Sequence, residues 1–368
     1  MEQIRVLQVL SGLDRGGIEN MVMNLYRAID KTKIQFDFII HRHTEDAFCD
    51  EVRALGGNIY LFPKFSLLKI GSYKKFWKNF LKDHPEYKVI HSHVRSYAIV
   101  FIRIAKKLGR KTIVHSHSTS NGSGIGSLVK MFMQLPLRRE SDYLFACSEI
   151  SGRWLFGDKA IKKDNYKMIK NAIDTNRYVV SSEVRQSYRK SFNAEDKVVY
   201  GHVGRLSEPK NHSFLLDIFK EIVSREPNSL LVIVGAGEYQ AQIGAKIKQL
   251  SLENSVVMTG ARADIPELLS AMDVFLFPSL WEGLPVTVVE AQAAGLPCLV
   301  SDTVTSEVAV SEAVEYLPID KGTSVWVEKA LSAAGKRYSV VDKIKLAGFD
   351  TATTCEELTS FYRSLSNE

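Results

Sequence analysis

Long apolar runs are missing from this sequence. None reaches about 18 residues, the length a helix needs to cross a bilayer, so no spanning helix is expected. Cysteine is scarce, four in 368 residues, and Cys49, Cys147, Cys298 and Cys355 are far apart with no Cys-x-x-Cys pair. A disulfide framework and a structural zinc site are therefore not expected, and a reducing cytoplasm is the natural home. The opening residues Met1–Leu7 mix charges into an apolar stretch and lack a secretory core. The turn Gly235-Ala236-Gly237 lacks the third glycine of the dinucleotide fingerprint, since Gln240 stands there, which argues against NAD. What remains is 45% hydrophobic and 24% charged, the composition of a globular enzyme. At this length two domains are expected.

The net charge of +6 hides a division. Residues 1–178 hold 30 Lys and Arg against 17 Asp and Glu, +13, whereas residues 179–368 carry −7. A basic half suits an anionic partner such as a membrane surface, a phosphorylated acceptor or nucleic acid. A basic surface with no partner is the plain alternative.

Apolar runs alternate with helical patterns from end to end. Ile4–Leu10, Phe36–His41, Val89–His93 and Thr112–Ser116 read as strands, and Ile18–Ala28 as a helix after a glycine turn. Val/Ile runs bounded by turns and separated by helices indicate a parallel sheet covered on both faces. The pattern restarts after Asn171-Ala172-Ile173-Asp174. Strands follow at Val198–Val203, Leu230–Val234, Ser255–Thr259, Val274–Pro278 and Cys298–Ser301. Phe214–Ser224, Glu238–Leu250, Pro266–Ala271 and Pro285–Ala294 are the helices between them. The expected fold is α/β, with two Rossmann-like doubly wound domains, 1–178 and 179–351, a hinge near 172–182, and a last helix (352–368) that packs back on the first domain. Ligands of such sheets sit beyond the carboxyl ends of the strands, so a cleft between the domains is the expected site.

Four constellations carry chemistry. Pro278-Ser279-Leu280-Trp281-Glu282-Gly283-Leu284-Pro285-Val286-Thr287-Val288-Val289-Glu290 puts one carboxylate in a strand-to-helix loop and another about a turn and a half into the helix, so both can face one elongated ligand. The helix start offers N–H groups and positive dipole to an anion. Gly204-Arg205-Leu206-Ser207-Glu208-Pro209-Lys210-Asn211 follows a strand, where two cations can neutralise a diphosphate without metal. Gly16 and Gly17 let backbone approach a phosphate or sugar. His91, His93, His115 and His117 lie at strand ends, but each His-x-His lacks an evident third ligand, so no metal is expected. His117, last on its strand, is the best placed to point into a cleft.

Together these residues resemble the retaining glycosyltransferases of family 4, with the GT-B fold, from Leu7 to about Tyr362. The Glu-x7-Glu pattern of Glu282 and Glu290 is the most specific element. Arg15-Gly16-Gly17-Ile18-Glu19, Gly204-Arg205 to Lys210, Val234-Gly235-Ala236-Gly237 and Asp264-Ile265-Pro266 also match. The opening Val-Leu-Gln-Val-Leu and the segment 114–118 are in the style of the bacterial capsule and exopolysaccharide subgroup. The resemblance implies that Arg205 and Lys210 stabilise a departing nucleoside diphosphate. It implies that Glu282 holds hydroxyls of the donor sugar, Glu290 the ribose, and that His117 touches the sugar near the reacting carbon. Gly16, Gly17, Gly237, Arg262, Gly283, Leu284 and Val286 would contact the rest of a nucleotide-sugar, most naturally a UDP-sugar. The acceptor would be a glycan or a polyprenyl-diphosphate-linked one at the inner face of the cytoplasmic membrane. Pro285 departs from the family, many members of which have glycine there, and removes one N–H donor. No Asp-x-Asp triplet occurs, so no metal cofactor is implied, and Arg205 and Lys210 take its part.

Two segments read as interfacial helices. Lys64–Lys82 and Leu128–Arg139 both interleave large apolar side chains with lysine or arginine. The rival readings are a sugar-nucleotide epimerase of the same fold class, an NAD-dependent oxidoreductase, a nucleic-acid-binding module and a catalytically dead partner subunit.

Overall fold

A computed structural model describes residues 3–14, 16–42, 44, 46–117, 125–179 and 181–367. Arg15 and Ser118, read above as parts of motifs, Val180 of the expected hinge, and the terminal residues Met1, Glu2 and Glu368 lie outside the described residues. The chain divides into two compact units, 1–172 with 350–368, and 173–349. The crossing therefore falls at Ala172, not at 178, because Ile173 and Tyr178 bury themselves in the core of the second unit. The second and last crossing is tied to it, as Ile173 N–H donates to Phe349 O at 2.8 Å.

Among the described residues the first unit carries seven strands: β1 (Ile4–Leu10), β2 (Ile34–Ile40), β3 (Ile59–Leu61), β4 (Val89–Ser92), β5 (Lys111–Ser116), β6 (Tyr143–Ala146) and β7 (Tyr166–Met168). They form one parallel sheet in the order β3-β2-β1-β4-β5-β6-β7. The second unit carries β8 (Val198–Val203), β9 (Ser229–Val234), β10 (Val256–Gly260), β11 (Val274–Phe277), β12 (Cys298–Ser301) and β13 (Val314–Leu317), in the order β10-β9-β8-β11-β12-β13. Each begins with the 3-2-1-4 order of doubly wound folds, so the chain reverses direction across the sheet between β1 and β4, and again between β8 and β11.

Both sheets are buried on both faces. In the first unit Val6, Leu10, Val89, Ile113 and Phe145 fill one face, while Leu7, Val9, Ile90, Val114 and Leu144 fill the other. That is the period-2 alternation of a strand with two apolar sides. The last helix, Thr351–Asn367, returns to this unit and sinks Cys355, Leu358, Tyr362 and Leu365 into the first of these faces. Strands β3, β6, β7 and β13 escaped the sequence reading. They are three or four residues long, and Tyr, Lys or Glu interrupts the aliphatic run in each.

Of the two amphipathic segments, the first is mostly core. In the helix Ile70–Asp83, Tyr73, Trp77, Phe80 and Leu81 are buried, with the Trp77 ring stacked on Phe101 at 4.3 Å. The stripe read as lipid-facing is thus spent on packing, and only Leu67, Leu68 and Phe76 stay exposed. The second segment differs. Leu128, Val129, Met131, Phe132 and Leu135, on and just after the helix Ile125–Gln134, are all exposed.

Candidate functional site

In the second unit the site grows from the switch point between β8 and β11. β8 runs out at Val203, and its loop makes a tight turn over Glu208–Lys210 before the helix His212–Arg225. Asn211 joins them in the left-handed region, φ 53°, which asparagine tolerates better than most residues. β11 runs out at Phe277, and its loop carries Glu282. Leu280 N–H donates to Pro209 O at 2.8 Å, which ties the two loops together.

This neighbouring exit joins two of the expected residues. Lys210 Nζ lies 2.7 Å from Glu282 Oε1, and each side chain keeps only 15% of its exposure. The ammonium also sits over the Phe277 ring, 4.6 Å from its centre. A largely desolvated ion pair over an aromatic floor is a strong local field, because little water screens it. Arg205 stands apart, 72% exposed and paired with Glu238 at 3.1 Å.

The glycine turn after β9 has a concrete task. A Cβ on Gly237 would lie 2.3 Å from Leu206 O, and one on Gly235, at φ 145°, would lie 1.9 Å from Gly204 O. The two glycines let the β8 and β9 loops close on one another. Gly283 faces open space, with nothing within 4 Å of a Cβ built on it. Leu284 and Val286 pack their side chains on the core of the second unit.

The helix Val286–Ala293 takes Pro285 as its N-cap, just outside the first turn where it was expected. Glu290 lies within it, and Tyr178 Oη donates to its Oε1 at 2.8 Å. Burial pushes the Glu290 carboxyl above its ordinary range, against the Tyr178 hydrogen bond, which pulls it down. No side chain links Glu282 to Glu290 among the described contacts: one is held by Lys210, the other by Tyr178. Arg262 is not gathered in with them. It leaves from β10, two strands from β8, and grips Asp264 through Nε at 2.8 Å. That pairing drives the Asp264 carboxyl down, and Tyr188 donates to the same carboxylate at 2.6 Å.

In the first unit Gly16 caps the helix Gly17–Ala28 with no side-chain partner, and a Cβ on Gly17 would meet nothing within 4 Å. Gly17 is exposed, whereas the Glu19 carboxylate lies against Gly16 and the Gly16 N–H donates to Asp14 O at 2.8 Å. The histidines gather on the far side of the same switch point. β4 and β5 pair with His91 opposite Ile113, so the next pair out sets His93 beside His115. Nitrogens of His91, His93 and His115 all lie within 4.8 Å of one another. The sequence reading found no third ligand for a metal; the strand register supplies three imidazoles in one place. All four rings are held neutral, chiefly by burial, with His115 pushed down to about 3.

Sequence reasoning missed Tyr178, the partner of Glu290. It also missed His202 and His212, buried rings packed 4.9 Å apart near Lys210 and held neutral by burial. Gln8 and Tyr362, on the histidine cluster, were missed too. None of these has a local motif; their roles depend on pairing between distant segments.

Known proteins match these features. The family pattern described as Glycosyltransferase Family 4 covers residues 15–177, and that described as Glycosyl transferases group 1 covers 184–330. EpsF of Bacillus subtilis (strain 168), which carries a glycosyltransferase name, is 34% identical over 371 residues, spanning 98% of this chain and 96% of its own. The UDP-Gal:alpha-D-GlcNAc-diphosphoundecaprenol alpha-1,3-galactosyltransferase of Escherichia coli is 26% identical over 321 residues, 81% of this chain and 78% of its own. The crystal structure of Anabaena HepE in complex with UDP superposes with a TM-score of 0.79 at 19% identity, over 98% of this chain and 100% of that one.

Proposed function

This chain belongs to the family 4 glycosyltransferases of the GT-B fold, and on that premise we propose that it moves a sugar, with retention of configuration, from a UDP-sugar to a glycan or polyprenyl-diphosphate-linked acceptor of cell-surface polysaccharide synthesis. The observation that carries this reading is the Lys210–Glu282 pair at the β8–β11 switch point. Nucleotides bind doubly wound sheets at such a point. A diphosphate arriving there exchanges the Glu282 carboxylate for its own oxygens on Lys210 and frees Glu282 for sugar hydroxyls. Arg205, exposed on the same loop, closes on the diphosphate from the solvent side.

When the bond from the anomeric carbon to the diphosphate oxygen breaks, its electron pair stays on the diphosphate; the acceptor hydroxyl oxygen bonds the anomeric carbon on the same face, and its proton passes to the departing diphosphate. Two cations held in place for that charge lower the barrier without a metal ion. Glu290, kept in position by Tyr178, takes the ribose hydroxyls, and the backbone at Gly283 and the helix start takes phosphate or sugar. In the first unit, Gly16, Gly17 and His117 address the sugar and its acceptor. The exposed apolar side chains of 128–135, beside Lys130, Arg138 and Arg139, rest on the anionic inner face of the cytoplasmic membrane and bring the chain to a lipid-linked acceptor.

The test is incubation with a panel of UDP- and GDP-sugars, with and without polyprenyl-diphosphate-linked acceptors, reading nucleotide release. Release from one UDP-sugar that requires acceptor and persists in EDTA is the expected result. Interconversion of a UDP-sugar with no transfer would make the chain an epimerase and end this reading.

A further inference from the structure

The cluster Gln8, His91, His93, His115, His117 and Tyr362 holds two hydrogen-bonded chains side by side. Gln8 Oε1 lies 2.9 Å from His93 Nε2, and His93 Nδ1 lies 2.9 Å from His117 Nε2. On the other branch Tyr362 Oη lies 2.7 Å from His91 Nδ1, and His91 Nε2 lies 3.3 Å from His115 Nδ1. His91, His93 and His115 are buried, His117 is partly so, and all four are held neutral, so each has one N–H and one bare nitrogen.

In such a chain the direction of one hydrogen bond sets all the others. Gln8 Oε1 is an amide oxygen and can only accept, so it takes the His93 Nε2–H. His93 Nδ1 is then bare and accepts from His117 Nε2–H, which leaves His117 Nδ1 bare.

The consequence falls on His117. Its Nδ1 is buried and has no hydrogen-bond partner among the described residues. A bare nitrogen cut off from water loses a hydrogen bond unless a ligand restores it. We propose that Gln8 and His93 are positioning residues that fix the His117 tautomer, so that His117 Nδ1 accepts a hydrogen bond from a hydroxyl of the transferred sugar. This rests on the glycosyltransferase reading for the identity of the hydroxyl and on the hydrogen-bond chain alone for the tautomer. Gln8 thereby becomes a specificity residue that never touches the ligand, and a hydroxyl donor is favoured over any group that can only accept.

Imidazole nitrogen NMR on the full-length protein reads the tautomer directly, without substrate. The expected spectrum has His117 bare at Nδ1 and protonated at Nε2. His93→Phe keeps a ring but removes the acceptor, and Gln8→Leu removes the amide; either should release His117 into a mixture of tautomers. Gln8→Glu, whose carboxylate still accepts from His93, should restore the wild-type His117 signals. With a UDP-sugar as donor, His93→Phe should lower kcat/KM about tenfold and leave UDP affinity unchanged. Among singly deoxygenated donors, the one lacking the recognised hydroxyl should lose no further activity in that variant. A protonated Nδ1 in the wild type, or a tautomer indifferent to both substitutions, overturns the proposal. So does zinc, added alone, binding one ion per chain with loss of the His91 and His115 N–H signals, because a metal would then set the tautomers. A protein that transfers no sugar from any donor removes the hydroxyl and the functional reading, and the spectrum still decides the tautomer.

Discussion

Lys210 and Glu282 are each mostly buried and each other's partner, so neither can be changed without leaving the other exposed to that environment. Arg205 has no such tie to the core, being paired only at the surface with Glu238. Arg205→Ala should therefore fold normally and lower turnover by about two to three decades, the usual loss for one preorganised donor to developing charge. Steady-state kinetics checks it, and wild-type turnover would remove Arg205 from the mechanism. The carboxylates separate by task. Glu282→Gln should impair transfer while UDP binding, read by calorimetry, stays within about a factor of two, a shift of roughly 0.4 kcal/mol. Tyr178→Phe leaves the buried Glu290 carboxyl without its donor, and UDP affinity should fall about tenfold, since such an orphaned group costs about 1–3 kcal/mol. The reverse pattern would mean that Glu282 holds the ribose and Glu290 the sugar.

At the scale of elements, loops from adjacent strands are matched to one another. The β8 and β9 loops meet backbone to backbone at Gly204–Leu206 and Gly235–Gly237. Gly235→Ala puts a methyl group onto Gly204 O at a φ that L-residues avoid, so it should cost the second unit about 1–3 kcal/mol and weaken UDP binding with it. Denaturant titration and calorimetry read the two effects, and an unperturbed variant would show that the loops can part freely. The exposed helix Ile125–Gln134 with its continuation presents Leu128, Met131 and Phe132, the last 65% exposed, to solvent. Flotation with anionic liposomes should recover the protein at low salt and lose it as salt rises. Leu128→Glu with Phe132→Glu should abolish recovery while UDP binding is kept, and recovery on neutral vesicles alone would refute an electrostatic contribution. Lys74→Glu, Lys75→Glu and Lys78→Glu should matter less, because the apolar side of their helix is already packed inside.

For the molecule as a whole, the neutral buried histidines tie stability to pH. The folded-state pKa of His41 is pushed down to about 4 and that of His115 to about 3, and His91, His93 and His117 are also held well below their ordinary value. An unfolded chain takes up protons at these rings near pH 6.5, whereas the folded one does not. The unfolded state therefore binds more protons as the pH falls, and folding weakens from about pH 6.5 downward. Each such ring costs about 1.4 kcal/mol between pH 7.5 and 5.5. Urea unfolding at the two pH values should show the first unit, which holds all five rings, losing stability at pH 5.5. A first unit more stable at pH 5.5 would mean that the rings are charged when folded.

The sequence by itself determined what is local and repeated. Continuous Val/Ile runs marked β1, β4, β5, β8, β9 and β11, and the glycine and proline turns marked where loops leave them. Glu282 with Glu290, Gly204-Arg205 with Lys210, and Gly16-Gly17 stood out because chemistry-bearing residues follow strand ends directly, and strand ends are visible one strand at a time. Tertiary structure decided everything that depends on which strands are neighbours. The β8–β11 adjacency brings Lys210 to Glu282, and the intervening strand β9 keeps Arg262, at the end of β10, away from them. The β4–β5 register turns two separate His-x-His pairs into one cluster, and the return of Thr351–Asn367 sets Tyr362 on it, 271 residues from His91. It also decided which of two similar amphipathic helices kept its apolar face for solvent, since burial is settled by what a neighbouring element covers and not by the spacing of side chains.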